Sequence, residues 1–96
     1  MNRAKMFVDE NESMNRSKQE IIAKILDICV KGANKTRIVY EANLNFRTVN
    51  IYLDLLNQKG LIRVSHGENV IYETTPKGMD LMKDIAWINS EISEIG

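Results

Sequence analysis

The chain has 96 residues, with 13 Lys+Arg against 13 Asp+Glu, 44% hydrophobic and 27% charged, a composition that suits one ordinary globular domain and leaves no room for a second. One cysteine, Cys29, excludes an internal disulfide, and with a single histidine, His66, it leaves too few soft ligands for a four-ligand zinc site. No apolar run approaches the roughly 18 residues of a membrane span, and the start MNRAKMFVDENES reaches acids too soon for a secretory signal, so a cytoplasmic protein without a membrane partner is expected.

Residues 1–14 are polar apart from Met6-Phe7-Val8 and show no periodicity, which predicts a loose tail. From Ser17 the pattern changes. Ile21, Ile22, Ile25, Leu26, Ile28 and Cys29 recur at spacings of three and four, the stripe of an amphipathic helix, with Ser17 and Glu20 as its capping box and Gly32 as its stop. A second, shorter helix fits Thr36 to Ala42, ended by Asn43, which tolerates the left-handed conformation.

Asn45 suits the N-cap of a third helix running to about Lys59. At about 100° per residue, Val49, Tyr52, Leu53 and Leu56 fall on one side of it, and Arg47, Ile51, Asp54 and Gln58 on the other. After Gly60, Leu61 to Ser65 and Val70 to Thr74 read as two strands around a His66-Gly67-Glu68-Asn69 turn. Thr75 as N-cap and Pro76 at the first helical position then start a fourth helix able to run to the last residues. The predicted order is H-H-H-E-E-H.

Zero net charge conceals an uneven distribution. Residues 1–30 hold five bases and five acids. Residues 31–63 hold six bases and two acids, giving +4, and residues 64–96 hold two bases and six acids, giving −4. A drift of this size arises equally from solvated faces and from a basic binding surface.

Two short helices across a tight turn, followed by a hairpin, is the arrangement of an α+β winged helix-turn-helix, in which the third helix enters the major groove and the hairpin is the wing. The stretch NKTRIVYEANLNFRTVNIYLDLLNQKGLI and the later TTPKG resemble the small archaeal winged helix-turn-helix proteins related to a dimeric chromatin protein with a C-terminal coiled coil. The resemblance covers about Ser17 to Ile95. It is carried by Phe46 after the Asn45 cap, the pair Tyr52-Leu53, the run Lys35, Thr36, Arg37 and Ile38, and the T-x-x-G of Thr75 and Gly78. The resemblance implies double-stranded DNA as partner, no cofactor, and a homodimer through antiparallel C-terminal helices. At the places of Asn50 and Ile51 the family often carries lysines, so this chain offers the groove Arg47 and polar neighbours instead.

In this arrangement Arg47 and Thr48 lie in the first turn of the third helix, where side chains reach base edges, and arginine pairs both acceptors of a guanine. Asn45, Phe46, Asn50 and Ile51 share that helix. Ile51 suits a thymine methyl, or equally cover for the wing or a partner protein. Lys35, Thr36 and Arg37 open the second helix, whose N–H groups suit a phosphate, although the bases also fit a solvated surface. Arg63 and His66 would bring the wing to a phosphate or minor groove.

Leu81, Ile85, Ile88, Ile92 and Ile95 are spaced 4, 3, 4 and 3, a coiled-coil seam that predicts residues 76–96 as a dimerisation helix attached to a winged domain over 15–75. Packing on the first helix of the same chain also satisfies one end of this stripe, and Met82, Trp87 or the Met6-Phe7-Val8 cluster would add contact to a dimer. Cys29 reads as a buried, inert thiol. With no phosphate loop, Ser-His-Asp set or spaced carboxylate pair in view, an enzyme is not expected. The resulting expectation is a homodimeric DNA-binding regulator or chromatin-like architectural protein, with a winged-helix protein-interaction module that leaves DNA untouched as the alternative.

Overall fold

In the computed structural model, which describes residues 17–95, Ser17 opens helix α1 (Lys18–Ile28) with a reciprocal capping box. Its Oγ accepts from the Glu20 N–H at 3.1 Å, and the Glu20 carboxylate accepts from the Ser17 N–H at 3.2 Å. The tail expected over residues 1–14, with Met6-Phe7-Val8, lies outside the described residues. α1 ends four residues before Gly32, with Cys29 as C-cap; Gly32, at φ 88°, makes the turn that follows.

Helices α2 (Lys35–Ala42) and α3 (Phe46–Gln58) follow. Each is capped by an asparagine whose Oδ1 accepts an N–H three residues on: Asn34 from Arg37 at 2.8 Å and Asn45 from Thr48 at 2.7 Å. Between them Asn43 takes the left-handed conformation at φ 58°. The Leu44 N–H can then return to the Val39 carbonyl at 3.2 Å, and two helix ends are satisfied within three residues.

Strands β1 (Ile62–His66) and β2 (Val70–Thr74) form the antiparallel hairpin, with Ile62 opposite Thr74 and His66 opposite Val70. His66 therefore ends a strand, and the connection is Gly67-Glu68-Asn69 alone, a correction to the four-residue turn expected. A bridge absent from the sequence reading fixes the hairpin to the helices: Ala33 and Tyr72 exchange N–H to carbonyl bonds at 3.0 and 2.8 Å. Thr74, buried at the base of the wing, donates its hydroxyl to the Leu26 carbonyl at 2.6 Å. The apolar stripes of α1, α2 and α3, with Leu61 and Ile62, meet in one core whose centre is Ile25, Leu26, Ile38, Val49, Leu53 and Leu56.

Helix α4 (Pro76–Ile95) completes the order H-H-H-E-E-H. The Thr75 hydroxyl donates to the Gly60 carbonyl at 2.7 Å and accepts from the Gly78 N–H at 3.1 Å, so one side chain caps α4 and ties it to the end of α3. The first turns of α4 belong to the core: Leu81 and Met82 pack against it, and Ile85 is only 6% exposed. α4 lies against α1. Ile85 is therefore occupied within its own chain, which corrects its assignment to an intersubunit seam, and Leu81 is half-buried there. Beyond them Trp87, Ile88 and Ile92 are exposed, and the 20-residue helix contributes to a long axis of 50 Å against 29 and 21 Å for the other two.

Candidate nucleic-acid interface

Packing decides which face of α3 stays free. Val49, Leu53 and Leu56 are buried in the core and Tyr52 is half-buried beside them, while Arg47, Asn50, Ile51 and Asp54 are exposed on the opposite side. The left-handed Asn43 and the Asn45 cap set the entry of α3 just after α2, so the outward arc begins at the first turn. Thr48 is half-buried, and Asn45 uses its Oδ1 to hold the Thr48 N–H.

A groove of about 390 Å³ joins the N-terminus of α2, the start of α3 and the tip of the wing. Asn34, Lys35 and Thr36 line one side, Phe46 the second, and Asn69, Val70 and Tyr72 the third. Phe46 keeps 50% of its surface exposed here. Of the residues singled out from the sequence, Lys35, Thr36 and Phe46 are thus brought together. Asn34, Asn69, Val70 and Tyr72 were missed, although the period-2 alternation of a strand puts Val70 and Tyr72 on one face once the hairpin register is known.

The basic residues do not form the continuous surface that their clustering in sequence suggests. Arg37 bends back toward the first helix: its Nε lies 2.8 Å from Glu41, and it lines a second groove with Lys24, Asp27, Ile28, Val30, Lys31 and Glu41. Arg63 pairs with Glu73 at 2.8 Å. Alternation along β1 and the hairpin register place Arg63 with Glu73, Ser65 and Ile71 on one face of the wing, and His66 with Val70 and Tyr72 on the other. Arg63 and His66 therefore cannot act together from one face, and only His66 shares the face that lines the Lys35–Phe46 groove. The unpaired charge toward this side comes from Lys35 and Arg47, with no ion pair found for either among the described residues.

Tyr40 on α2 is 85% exposed, outside the lining of the Lys35–Phe46 groove. Cys29 is fully buried, and burial pushes its thiol up to about 12 against the opposing charge of Arg37, so the thiolate needed for reactivity is suppressed. Among the described residues no helix is long and apolar enough to cross a membrane.

A family model described as winged helix-turn-helix matches residues 15–93. The uncharacterized protein MJ0287 of Methanocaldococcus jannaschii is 35% identical over 78 residues, spanning 80% of this chain and 77% of its own length. Among solved structures, the chain is similar to Sso10a-2, a DNA-binding protein from Sulfolobus solfataricus, with a TM-score of 0.77 at 29% identity over 83% of this chain and 85% of that one. The PcaV transcriptional regulator from Streptomyces coelicolor shares the fold alone: TM-score 0.72 at 11% identity, over 96% of this chain and 73% of that one.

Proposed function

Because the chain belongs to the winged helix-turn-helix family, we propose that it binds double-stranded DNA as a homodimeric transcriptional regulator or architectural protein, acting in the cytoplasm by binding rather than by catalysis. The observation that carries this reading is the outward face of α3, which the core leaves free and which presents Arg47, Asn50 and Ile51 from the first two turns of the helix. In this fold that face enters the major groove. Lys35 and the N-terminal N–H groups of α2 meet a phosphate, and the wing tip at Asn69 and Val70 follows the adjacent backbone. The DNA-binding character of Sso10a-2 supports the same reading.

The dimer uses the outer half of α4. Trp87 and Ile92 are 65% and 58% exposed beyond the point where Ile85 is buried, and Ile88 lies between them in sequence at a seam position. Three such side chains from each of two copies supply apolar area of the right order, at about 1.5–3 kcal/mol for each one fully buried, against an association cost of about 4–15 kcal/mol. The side chain of Ile95, the last of the expected seam positions, lies outside those described.

Fluorescence anisotropy with unrelated duplexes at low and moderate salt tests the function. We expect binding that weakens with salt at a slope of roughly −2 to −4 per subunit, and a loss of about 1–3 kcal/mol for Arg47→Ala. No binding at low salt would favour a protein-interaction module instead. That second reading has its own support in the neutralisation of Arg37 by Glu41 and of Arg63 by Glu73.

A further inference from the structure

The outward face of α3 has a composition unsuited to generic phosphate binding. Within Phe46–Gln58, Arg47 is the single base and Asp54 the single acid, so the helix carries no net charge. Both are exposed, and the acid repels phosphate. Counterion release by this helix is therefore limited to Arg47, and base edges are the remaining source of its affinity. The same arc keeps Ile51 60% in solvent, with Leu55 one turn further at 37%.

Resting on the DNA-binding reading, we propose that Arg47, Asn50 and Ile51 form a sequence reader for a guanine beside an A·T step, in which Ile51 recognises the thymine C5-methyl group. That methyl is the apolar feature of the major-groove edge, and a branched aliphatic side chain is its natural partner. Asn50 immediately precedes Ile51, and an asparagine amide pairs with both N6 and N7 of adenine. The two neighbours thus match the two halves of one A·T pair or of adjacent ones. Arg47 lies one turn earlier, about 40° from Ile51 around the axis and about 6 Å along it, a separation of one to two base-pair steps. Its guanidinium is free of any ion pair among the described residues, in contrast to Arg37 and Arg63. A donor fork, an amide and an aliphatic side chain on one exposed arc give α3 a chemistry that discriminates bases, which favours the regulator over the packaging role.

The test starts from the full chain and a pool of short random-sequence duplexes, followed by binding measurements on the enriched duplex. We expect enrichment of a guanine next to A·T pairs. Replacing the thymines of the enriched site by deoxyuridine, which removes only the methyl, should weaken binding about threefold to fivefold per methyl contacted. Ile51→Ala should bind the thymine and deoxyuridine duplexes equally. Replacing the guanine by 7-deazaguanine should weaken the parent and leave Arg47→Ala unchanged. All three residues are exposed, so unaltered thermal melting separates these effects from misfolding. Binding that persists without enrichment, or a parent protein indifferent to deoxyuridine, overturns the reader while leaving DNA binding in place. Failure to bind any duplex at low salt overturns the DNA reading and the reader together.

Discussion

The Arg63 guanidinium lies 2.8 Å from the Glu73 carboxylate directly across the hairpin, on the face of the wing away from Val70 and Tyr72. The pair is exposed, so its worth to stability is small, on the order of 0.2–1 kcal/mol. Its consequence is electrostatic: the wing's one arginine is neutralised by its own neighbour. Lys35, in contrast, has no ion pair among the described residues and stands at the groove joining α2, Phe46 and the wing tip. Removing one phosphate contact reduces the salt slope by about 0.9. Lys35→Ala should therefore weaken DNA binding and flatten log K against log salt by about that amount per subunit, whereas Arg63→Ala should change affinity less than about twofold. Equal losses for the two variants would show that the outer face of the wing meets the backbone.

Close approach at Gly78 yields a second expectation, on stability. A Cβ there would overlap the Leu61 carbonyl oxygen and come within 2.8 Å of Thr74 Cγ2. A glycine inside a helix ordinarily costs about 0.5–1 kcal/mol relative to alanine. Here the sign reverses, because the obstacle is backbone at the start of the wing and cannot rotate away. Gly78→Ala should destabilise by about 1–3 kcal/mol, read from the urea midpoint. A gain in stability would mean that α4 can slide on the hairpin.

The order of elements was legible because the chain punctuates itself. Ser17 with Glu20, Asn43, Asn45, Gly60 and Thr75-Pro76 each act through local backbone chemistry, and each stands where its cap or turn was expected. The face of α3 was legible for a similar reason, since helical periodicity alone separates Val49 and Leu53 from Arg47 and Ile51. Features that depend on distant residues were not. The Ala33–Tyr72 bridge needs residues far apart in sequence to meet. The fates of Arg37 and Arg63 depend on a helical neighbour and a cross-strand partner, so a count of charges along the chain does not separate a solvated face from a basic surface. Similarly, the 4-3-4-3 spacing of α4 marks a stripe, but spacing does not tell whether α1 or a second subunit covers it.

Burial of Cys29 predicts a pH dependence. Its thiol is raised from 9.0 to about 12, mainly by desolvation. Below pH 9 both folded and unfolded states hold the proton and the group is neutral to stability. Above that the unfolded chain releases it while the folded chain keeps it, so the unfolded state binds fewer protons and stability falls with pH. Across pH 9 to about 12, unfolding free energy should drop more steeply in the parent than in Cys29→Ala, as followed by urea denaturation at stepped pH. In the native protein at pH 8, a thiol reagent should label Cys29 only at the rate of unfolding.

Ile85 and Ile88 are one helical turn apart and carry opposite expectations. Ile85 is 6% exposed within its own subunit, so Ile85→Ala should lower subunit stability by about 2–4 kcal/mol through lost burial and the cavity left behind. Ile88 is exposed in the single chain at the start of the free stretch of α4, so Ile88→Asp should leave the fold of the subunit near the parent's. In a dimer through the outer half of α4 that aspartate is buried and unpaired, and its desolvation opposes association. Sedimentation should then show a monomer for Ile88→Asp at micromolar concentration where the parent is a dimer. Affinity for a duplex carrying two half-sites should fall with it, since two α3 helices are no longer held at a fixed spacing. A parent that sediments as a monomer, or an Ile88→Asp variant that remains dimeric, would move the subunit contact away from α4.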